Sequence, residues 1–559
     1  MSNSTNNLLQ RFYTLLKVNK NDIYSVYVFA FFSGIISLSL PLGVQTIVNF
    51  ISVGQLSVSW IVLVALVVLG VLLAGILQVF QLTITENLQQ RIFVRSAFDF
   101  AYRIPRLKIS SVQKYHVPEL VNRFFDTLSV QKGLSKILID VSSSSLQIIF
   151  GLVLLSFYHP LFIVFSFLLL LVLYLIFKFT AKRGIQTSLD ESTYKYQTAY
   201  WLEELGRTVN SYKTAKTSSI PLHKTDEILG SYLKARKDHF GVLRFQYYQM
   251  IIFKVLVAAV LLLLGGYLVM YREMNVGQFV ASEMIILIVM SSVEKLIFTL
   301  ESVYDVVTAL EKLAYLTSLP IDDDNQENKY VSEKGELFPL VVRDLSFKFF
   351  DVNHHTLKDV SFNVNKGEKV CLSGFNGSGK LMLLQIIGGI RDDYEGSISF
   401  NNVPVVNWNK ESLSSKIGYC HNGAQIFAGS FFDNVAMGRP EVGYNEVKEA
   451  IEFVGLTSFV EDLKEGYNSI LHPGGNNIPA QVRVKLMLAR AMASKPCLLI
   501  LEDNINFLAA SDVHAILKKL NGMKDLTVLA ITNNEDFKKE FSREIVLDNG
   551  KVLSDRKLV

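Results

Sequence analysis

The chain has 559 residues, which is too long for one ordinary domain. Half of its residues are hydrophobic and its mean hydropathy is +0.30, so the composition indicates a membrane protein. The formal net charge of +4 is too small to indicate nucleic-acid binding, and we interpret the excess of lysine and arginine as charge flanking membrane spans. The three cysteines, Cys371, Cys420 and Cys497, do not have the spacing of a zinc site and are predicted to be reduced cytosolic thiols.

Six apolar runs are each long enough to cross a bilayer, which takes about 20 residues. They lie near 23–51, 60–82, 137–158, 160–179, 245–270 and 277–300. The short gaps between them have almost no basic charge, whereas the long gaps, 83–136 and 180–244, are rich in lysine and arginine. Basic segments stay on the cytoplasmic side, so the long gaps and both termini are predicted to be cytoplasmic. We therefore predict an all-α, six-helix transmembrane domain over 1–320.

The two long gaps contain few helix-breaking residues and are predicted to be helical. A helix of about 20 residues that continues beyond the membrane extends about 30 Å into the cytosol. Each long gap is therefore predicted to be a hairpin of two helices with a short helix at its tip. Such a hairpin is a lever that a domain beneath the membrane can push.

The character of the chain changes after the sixth apolar run. Residues 321–337 are polar and acidic and are predicted to be a linker. From 338 to 559, short apolar strands such as 369–373 and 497–501 alternate with predicted helices. This pattern predicts a cytosolic α/β domain.

A phosphate-binding loop is predicted directly after the strand at 369–373. The sequence at 374–381 is GFNGSGKL and fits the P-loop pattern G-x-x-x-x-G-K-[ST] except at its last position. The glycines let the backbone approach phosphates and the lysine adds positive charge, but a leucine cannot ligate Mg²⁺. The alternative is a relic loop that binds nothing. The predicted nucleotide-binding residues here are Gly374, Phe375, Asn376, Gly377, Ser378, Gly379, Lys380 and Leu381.

The order of these features resembles one half of an ABC exporter. Besides the P-loop, the resemblance is carried by the sequences VPELVNR, LEELGRTV, LSFKF and LARA, at 117–123, 202–209, 345–349 and 488–491. The chain is similar to a half-size type I exporter, and its membrane half is most similar to exporters of the haemolysin and bacteriocin type. The resemblance implies six spans in the bacterial plasma (inner) membrane, a cytoplasmic α/β P-loop nucleotide-binding domain at 338–559, ATP as the nucleotide, and a homodimer or heterodimer with another half.

Two further nucleotide contacts follow from the resemblance. Phe349 stands where an aromatic ring stacks on adenine, and the alternative is an ordinary core phenylalanine. Asn422 stands where a glutamine senses Mg²⁺ and the attacking water; asparagine is one methylene shorter, and Gln425 comes three residues too late. Together with Leu381, this places Mg²⁺ binding in doubt, and no metal ligand is predicted.

The signature motif, usually L-S-G-G-Q, aligns with a segment in which no position matches. Its residues are Ile478, Pro479, Ala480, Gln481 and Val482. In the family, the serine hydroxyl and glycine amides of this motif contact the γ-phosphate of the partner's ATP. Proline has no N–H to donate, and a shift of one residue restores no glycine pair.

The catalytic positions that the resemblance implies are also altered. In the family, the strand that carries the metal-binding acid and the catalytic base ends in Asp-Glu. Here it ends in Glu502-Asp503. Asp503 is about one methylene short of a base within reach of the attacking water. The D-loop at 506–509 has lost its aspartate, and the switch histidine is replaced by Asn533. We predict a degenerate nucleotide-binding domain with weak or absent hydrolysis.

Three charged residues lie inside predicted spans. Lys254 is in the fifth run, and Glu283 and Glu294 are in the sixth. Charges within a membrane are costly and usually face a cavity or a partner. Lys254 and Glu294 lie at similar depth, so we predict that they form a pair or line the translocation path. The alternative is snorkelling towards the cytoplasmic edge.

We interpret the chain as half of a dimeric exporter of a peptide, a protein or another amphipathic substrate, with impaired hydrolysis. One alternative is a catalytically inactive pseudo-transporter that acts as a membrane scaffold or regulatory subunit, for instance beside a periplasmic adaptor. Another alternative is an ordinary ATPase with unusual motifs.

Overall fold

The computed structural model describes residues 20–53, 58–113, 117–215, 218–322, 329–331, 337–349, 354–421, 425–503 and 507–558. The chain divides into two compact units. The first comprises Met1–Leu107 and Val112–Pro320, and the second comprises Lys108–Ser111 and Ile321–Val559. Most of the predicted linker, 323–328 and 332–336, lies outside the described residues.

All the regular secondary structure described in the first unit is helical. Its helices are α1 (Lys20–Ser37), α2 (Ser39–Val53), α3 (Val58–Arg103), α4 (Ile109–Val112, shared with the second unit), α5 (Val117–Asn122), α6 (Asp126–Ser156), α7 (Pro160–Arg207), α8 (Val209–Thr214), α9 (Ile220–Met270) and α10 (Val276–Thr317). Among the described residues, six helical segments are long and apolar enough to cross a membrane, which agrees with the six apolar runs of the sequence. They are Lys20–Ser52, Val58–Arg106, Pro118–Ser156, Pro160–Arg207, Ile220–Met270 and Val276–Thr317.

Most of the long helices extend well beyond the apolar runs. Helix α3 continues to Arg103 although its apolar run ends near residue 82, and α7 continues to Arg207 although its run ends near 179. Short helices, α4 and α8, follow these two ends. The predicted helical hairpins with a short helix at the tip are therefore confirmed.

Local capping fixes where the fourth and the sixth span begin. Helix α7 starts with Pro160 after His159, whose ring accepts a hydrogen bond from the Leu161 amide. Helix α10 starts with a capping box, in which Asn275 and Gln278 each accept a backbone N–H of the other. These caps satisfy donors that the first turn of a helix leaves free.

Small residues allow α10 to pack closely against its neighbours. A Cβ atom at Gly184 of α7 would lie 2.3 Å from the Tyr304 ring of α10, and one at Gly133 of α6 would lie 2.4 Å from Val306. Tyr304 is fully buried, and its hydroxyl accepts a hydrogen bond of 2.7 Å from Gln246 of α9. Close approach through small residues is a typical means of helix association in membranes.

The second unit contains a mixed six-stranded sheet and a separate antiparallel sheet. The first has the order β12-β11-β3-β10-β9-β6, in which only β12 is antiparallel to its neighbour, and the second has the order β2-β1-β4-β5. Strands β7 and β8 form a small pair. The strands are β1 (Leu340–Phe347), β2 (Leu357–Val364), β3 (Lys369–Ser373), β4 (Glu395–Phe400), β5 (Val403–Pro404), β6 (Ile417–Cys420), β7 (Gly429–Ser430), β8 (Ile470–Leu471), β9 (Leu498–Leu501), β10 (Thr527–Ile531), β11 (Arg543–Asp548) and β12 (Lys551–Lys557).

Helices cover this six-stranded sheet, and the central strands are buried throughout. Strands β3, β9 and β10 have no exposed residue, as a parallel sheet between layers requires. The helices of the second unit are α11 (Lys380–Ile387), α12 (Lys410–Ser414), α13 (Phe431–Ala436), α14 (Tyr444–Phe453), α15 (Thr457–Glu461), α16 (Ala480–Met492), α17 (Ala510–Gly522) and α18 (Glu535–Lys538).

The register of the parallel strands determines which residues meet at the carboxyl edge of the sheet. Cys420 of β6 lies opposite Leu501 of β9, and Ile531 of β10 lies opposite Leu372 of β3. The residues that follow these strand ends therefore come together at one edge, where ligands of such sheets bind.

We predict that Gly184→Ala destabilises the first unit by about 1–3 kcal/mol, because the added methyl group overlaps the buried Tyr304 ring. The matched control is Gly241→Ala in α9, where a Cβ atom meets nothing within 4 Å. The control is expected to be neutral or stabilising by up to about 1 kcal/mol, because alanine favours a helix. Denaturation in mixed micelles, followed by far-ultraviolet circular dichroism, measures both; equal effects of the two substitutions would contradict the packing argument.

Candidate functional site

The loop between β3 and α11 has the backbone that its glycines predict. Gly374 and Gly379 have φ angles of 130° and 95°, in the left-handed region. A Cβ atom at Gly374 would lie 2.0 Å from the Leu547 carbonyl oxygen, and one at Gly379 would lie 2.7 Å from the Thr356 carbonyl oxygen. Both positions therefore require glycine for conformation and for space.

Lys380 closes this loop from the inside. Its Nζ donates to the carbonyl oxygens of Gly374 and Phe375 at 2.7 and 2.8 Å, and it lies 3.3 Å from Ser378 Oγ. Burial lowers the pKa of Lys380, and the neighbouring Asp503 carboxylate opposes that shift. The lysine is thus held at the centre of the loop, with a carboxylate from the end of β9 close by.

A buried carboxylate supports the strand just before the loop. Glu544 of β11 is 1% exposed and accepts a hydrogen bond of 2.6 Å from Ser373 Oγ, the residue before Gly374. Arg556 and Lys538 also contact this carboxylate, at 2.6 and 3.0 Å. Burial by itself raises the pKa of Glu544, but the hydrogen bonds from Ser373, Arg556 and Lys538 outweigh it and lower the pKa to about 2. The carboxylate is ionised at neutral pH.

The carboxylate of Glu502 is held by two ring side chains. Tyr419 Oη donates to Glu502 Oε1 at 2.5 Å, and His421 Nδ1 lies 2.9 Å from the same oxygen. Glu502 is 1% exposed. Burial and the adjacent Glu502 carboxylate both raise the pKa of Tyr419, so this phenol remains a proton donor. Oε1 of Glu502 is therefore already engaged by the protein.

The remaining predicted catalytic positions lie around the same loop. Asn533 follows β10 by two residues, is exposed, and accepts a hydrogen bond of 3.1 Å from the Gly374 amide through Oδ1. Asp503 is also exposed, next to Glu502. The side chain of Leu381 is 45% exposed at the start of α11. The structure thus places Lys380, Leu381, Asp503 and Asn533 around the loop, and Glu502 next to Asp503.

Phe349 is partly buried and belongs to an aromatic group with a cation. Its ring lies edge-to-face with Phe347, with centroids 5.0 Å apart, and the Arg391 guanidinium lies 5.4 Å from its centroid. Arg391 is closer to Phe347, at 4.6 Å, and is paired with Asp393 at 2.7 Å. These contacts fit a packing role at least as well as base stacking.

The signature-equivalent segment forms the start of α16. Pro479 is the N-cap residue and makes no side-chain capping bond, where a serine would accept a backbone N–H. Pro479, Ala480 and Gln481 are exposed, whereas Ile478 and Val482 are buried in the core. The exposed residues offer neither a hydroxyl nor a glycine backbone.

Two of the predicted positions cannot be placed. Asn422 and Asn506, the first residue of the D-loop, lie outside the described residues. The rest of the D-loop is described: Phe507 is 65% exposed and Ala509 is the N-cap of α17.

Sequence reasoning missed the partners of Glu502 and Ser373. Tyr419, His421 and Glu544 are not part of the motifs on which the sequence predictions rest. Neighbouring parallel strands end at the same sheet edge, so titratable residues at or just after their ends can meet there. The sequence shows these titratable residues, but it does not show which strands are neighbours in the sheet.

The residues at this edge do not fit a tightly held Mg²⁺ ion. Leu381, at the position where the P-loop pattern places a hydroxyl ligand, has no oxygen, and Glu502 is 1% exposed with Oε1 bonded to Tyr419 and His421. Within the described parts of the chain, no group of three or more His, Cys, Asp or Glu residues is arranged to hold a metal ion. We therefore assign no catalytic step to a metal.

Comparison with known families matches both units. Residues 23–293 match the ABC transporter transmembrane region, and residues 357–506 match the ABC transporter family. These two matches cover the membrane helices up to the middle of α10 and the region from β2 through the end of β9.

Several curated proteins are similar in sequence. The alpha-hemolysin translocation ATP-binding protein HlyB of Escherichia coli is 24% identical over 358 residues, which are 64% of this chain and 50% of that protein. The pediocin PA-1 transport/processing ATP-binding protein PedD of Pediococcus acidilactici is 25% identical over 305 residues, 54% of this chain and 42% of that protein. The chain thus spans about half the length of such relatives.

The fold also has a solved counterpart. The structure of a bacterial Atm1-family ABC exporter with ATP bound superimposes with a TM-score of 0.83 and 15% identity, covering 97% of this chain and 96% of that one. This likeness extends over both units and concerns the fold alone.

We predict that Glu544 makes stability depend on acidic pH. Because its folded pKa is about 2, below the ordinary 4.5, its contribution is present above pH 4.5 and is lost as the pH falls towards 2. The loss is about 3 kcal/mol in the free energy of unfolding. Glu544→Gln is expected to cost about 2 kcal/mol at neutral pH and to flatten this dependence.

The matched control is Glu535→Gln, which removes a carboxylate that also pairs with Lys538 but is 80% exposed. Its effect is expected to stay within about 0.5 kcal/mol. Urea unfolding of the second unit can be followed through Trp408, which is 1% exposed, in a background with Trp60 and Trp201 replaced by phenylalanine. An unchanged acid profile in Glu544→Gln would refute the assignment.

Proposed function

Because the chain belongs to the ABC transporters, with a membrane unit followed by a nucleotide-binding unit, we propose that it is one half of a dimeric exporter that binds ATP but hydrolyses it weakly or not at all. The substrate is a peptide, a protein or another amphipathic molecule. The likeness to HlyB and PedD, whose names describe toxin translocation and pediocin transport, supports a polypeptide.

The engagement of Glu502 carries the proposal. Glu502 is 1% exposed and its Oε1 is held by Tyr419 and His421, so the exposed carboxylate beside it is Asp503, which is about one methylene shorter than the glutamate that serves as the base in the family. The glycine loop and Lys380, by contrast, retain the geometry that holds phosphates. Binding and hydrolysis are therefore separated at this site.

The altered signature segment would also impair the nucleotide site that it forms with the P-loop of a partner half. In ABC dimers each nucleotide lies between the P-loop of one half and the signature motif of the other. Pro479, Ala480 and Gln481 offer this partner site no hydroxyl and no glycine amide pair. A homodimer would have two impaired sites, and a heterodimer with an intact half would still have one.

The exposed Pro479 also supports a second candidate, a pseudo-transporter that serves as a membrane scaffold or regulatory subunit. Such a subunit needs the exporter fold but no turnover. In either case we propose an inner-membrane location in a bacterium, with cytoplasmic termini and nucleotide-binding unit. For the scaffold we propose a periplasmic adaptor as the partner.

We predict that the purified chain in lipid binds ATP and hydrolyses it at less than about a hundredth of the turnover typical of enzymes, roughly 10 per second. Lys380→Ala is expected to weaken ATP binding at least about tenfold, because it removes the cation from the loop. Fluorescent ATP-analogue binding and phosphate release, measured in the same sample, test both.

The outcomes separate the candidates. Binding without turnover, lost in Lys380→Ala, supports the nucleotide-clamped exporter half. Rapid turnover that Lys380→Ala abolishes would make the chain an ordinary exporter and overturn the proposal. Absence of both binding and turnover would favour the scaffold.

We further predict that nucleotide affinity depends little on Mg²⁺. Removing Mg²⁺ with a chelator is expected to change the wild-type dissociation constant by less than about threefold, because Leu381 provides no metal ligand. Leu381→Ser restores a hydroxyl and is expected to introduce a dependence of about tenfold. Leu381→Ala, which shortens the side chain without adding oxygen, is the control and should behave like the wild type. A strong Mg²⁺ dependence already in the wild type would contradict this prediction.

A further inference from the structure

The last span, α10, carries two carboxylates on one face inside its apolar run. Glu283 and Glu294 are separated by 11 positions, which is about three helical turns, so the two side chains point within about 20° of each other and lie about 16 Å apart along the axis. The apolar run extends over 277–300, and the two carboxylates lie on either side of its middle.

This face of α10 is only partly covered by the rest of the unit. Leu287 and Phe298, which share the face by helical spacing, are 59% and 39% exposed. On the opposite side of the helix, Ile285 and Val289 are fully buried, whereas Ile297, about 40° around the helix from Glu283, is buried at the edge of this face. Glu283 and Glu294 therefore stand beside the buried interface and not within it.

Glu294 is paired with Lys254 of α9. The two side chains form an ion pair in which each is about one-third exposed. This confirms the predicted pairing of charges at similar depth. Phe298 packs on Tyr247 of α9 with ring centroids 5.2 Å apart, so the pair lies at the seam between α9 and α10. The Lys254–Glu294 ion pair is open on one side.

Glu283 has an unmet hydrogen-bonding capacity. Its Oε1 is shielded from solvent and has no hydrogen-bond partner among the described residues. A carboxylate oxygen is only an acceptor when ionised, so what it lacks is a donor. A ligand that brings N–H groups would satisfy it.

Two other polar groups of α10 are hydrogen-bonded within the protein. Thr299 donates to Asp140 at 3.1 Å, and Ser292 donates to Gln147 at 2.8 Å, both on α6. These bonds join α10 to α6, away from the face that carries Glu283 and Glu294. They are packing contacts, which distinguishes them from the open ion pair.

The balance of charge on the open face indicates the ligand. Glu283 and Glu294 oppose the single cation Lys254, and charges at this depth are costly unless they are paired. A second cation can satisfy Glu283 and can replace Lys254 on Glu294, since exchange of one ammonium or guanidinium group for another keeps the pair intact. Lys295, next to Glu294 in the chain, points about 100° around the helix.

We propose that Glu283 and Glu294 form a binding track for the basic side chains of an amphipathic polypeptide, and that Lys254 is the resident cation that such a side chain displaces. This inference rests on the proposed export function and names its substrate class. The apolar residues between the carboxylates, Leu287 among them, contact the apolar face of the same polypeptide.

The test measures binding, without nucleotide, to the full chain in phosphatidylcholine nanodiscs. The probe is a fluorescein-labelled, lysine-rich amphipathic peptide, compared with its glutamine analogue and with empty nanodiscs. The wild type is expected to bind the lysine peptide at least about tenfold more tightly than the analogue. Equal binding of the two peptides would overturn the proposal.

Three variants locate the effect. Lys254→Met removes the competing cation and is expected to tighten binding about tenfold, whereas Glu283→Gln is expected to weaken it about threefold. The exchange Lys254→Glu with Glu294→Lys keeps the ion pair, and therefore the fold, but moves the carboxylate off α10. It is expected to weaken binding about tenfold; wild-type affinity in this variant would mean that the pair is structural only.

Two measurements keep the outcomes separate. Tetraphenylphosphonium, an apolar cation without N–H groups, is expected to bind at least about tenfold more weakly than the peptide, since it cannot donate to Glu283; equal binding would overturn the polypeptide assignment. ATP-analogue binding in the same sample reports on the second unit. Loss of nucleotide binding with retained peptide selectivity would refute the proposed function and not the track.

Discussion

The bilayer imposes the constraint on which the first unit depends. No water is available in the hydrocarbon core, so every backbone N–H and C=O of a span must be paired within the span itself. The chain meets this requirement because its spans are helices. Some of these helices continue far past their apolar runs, such as α3, which reaches Arg103. The same helix is therefore both the span and its extension beyond the apolar run.

The same constraint gives meaning to the few polar side chains within the spans. Ser292 and Thr299 are bonded to residues of α6, and the Tyr304 hydroxyl is bonded to Gln246 of α9. These bonds join α10 to its neighbours on both sides. The Lys254–Glu294 pair has a different setting, since both groups are partly exposed at a seam. Satisfied and enclosed groups contribute to packing, whereas exposed charges in an apolar environment need a functional explanation.

In the second unit, one sheet edge contains both a preserved and an altered half of a nucleotide site. The preserved half consists of backbone: the left-handed glycines and the Lys380 bonds to loop carbonyls define the phosphate loop. The half that departs from the family pattern consists of side chains, because Leu381 and Glu502 differ from the residues that the pattern places beside that loop. Backbone geometry is tied to the packing of β3 and α11, so it persists where side-chain chemistry has changed.

The sequence alone determined the six spans, their hairpin extensions and the position of the phosphate loop. Each of these depends on a local pattern: about 20 consecutive apolar residues, a breaker-free stretch, or glycines at fixed spacing. It also indicated the Lys254–Glu294 pair, because depth in a bilayer can be counted along the chain.

Only the tertiary structure decided what holds the key side chains. Tyr419 is 83 residues from Glu502, and Ser373 is 171 residues from Glu544, so no local pattern links them. Their contacts exist because β6 lies beside β9 and β11 lies beside β3 in the sheet order. Phe349 illustrates the same limit: its position matched a stacking residue, but its contacts with Phe347 and Arg391 became evident only in the folded chain. A sequence fixes which groups are present, while strand order and register fix which of them touch.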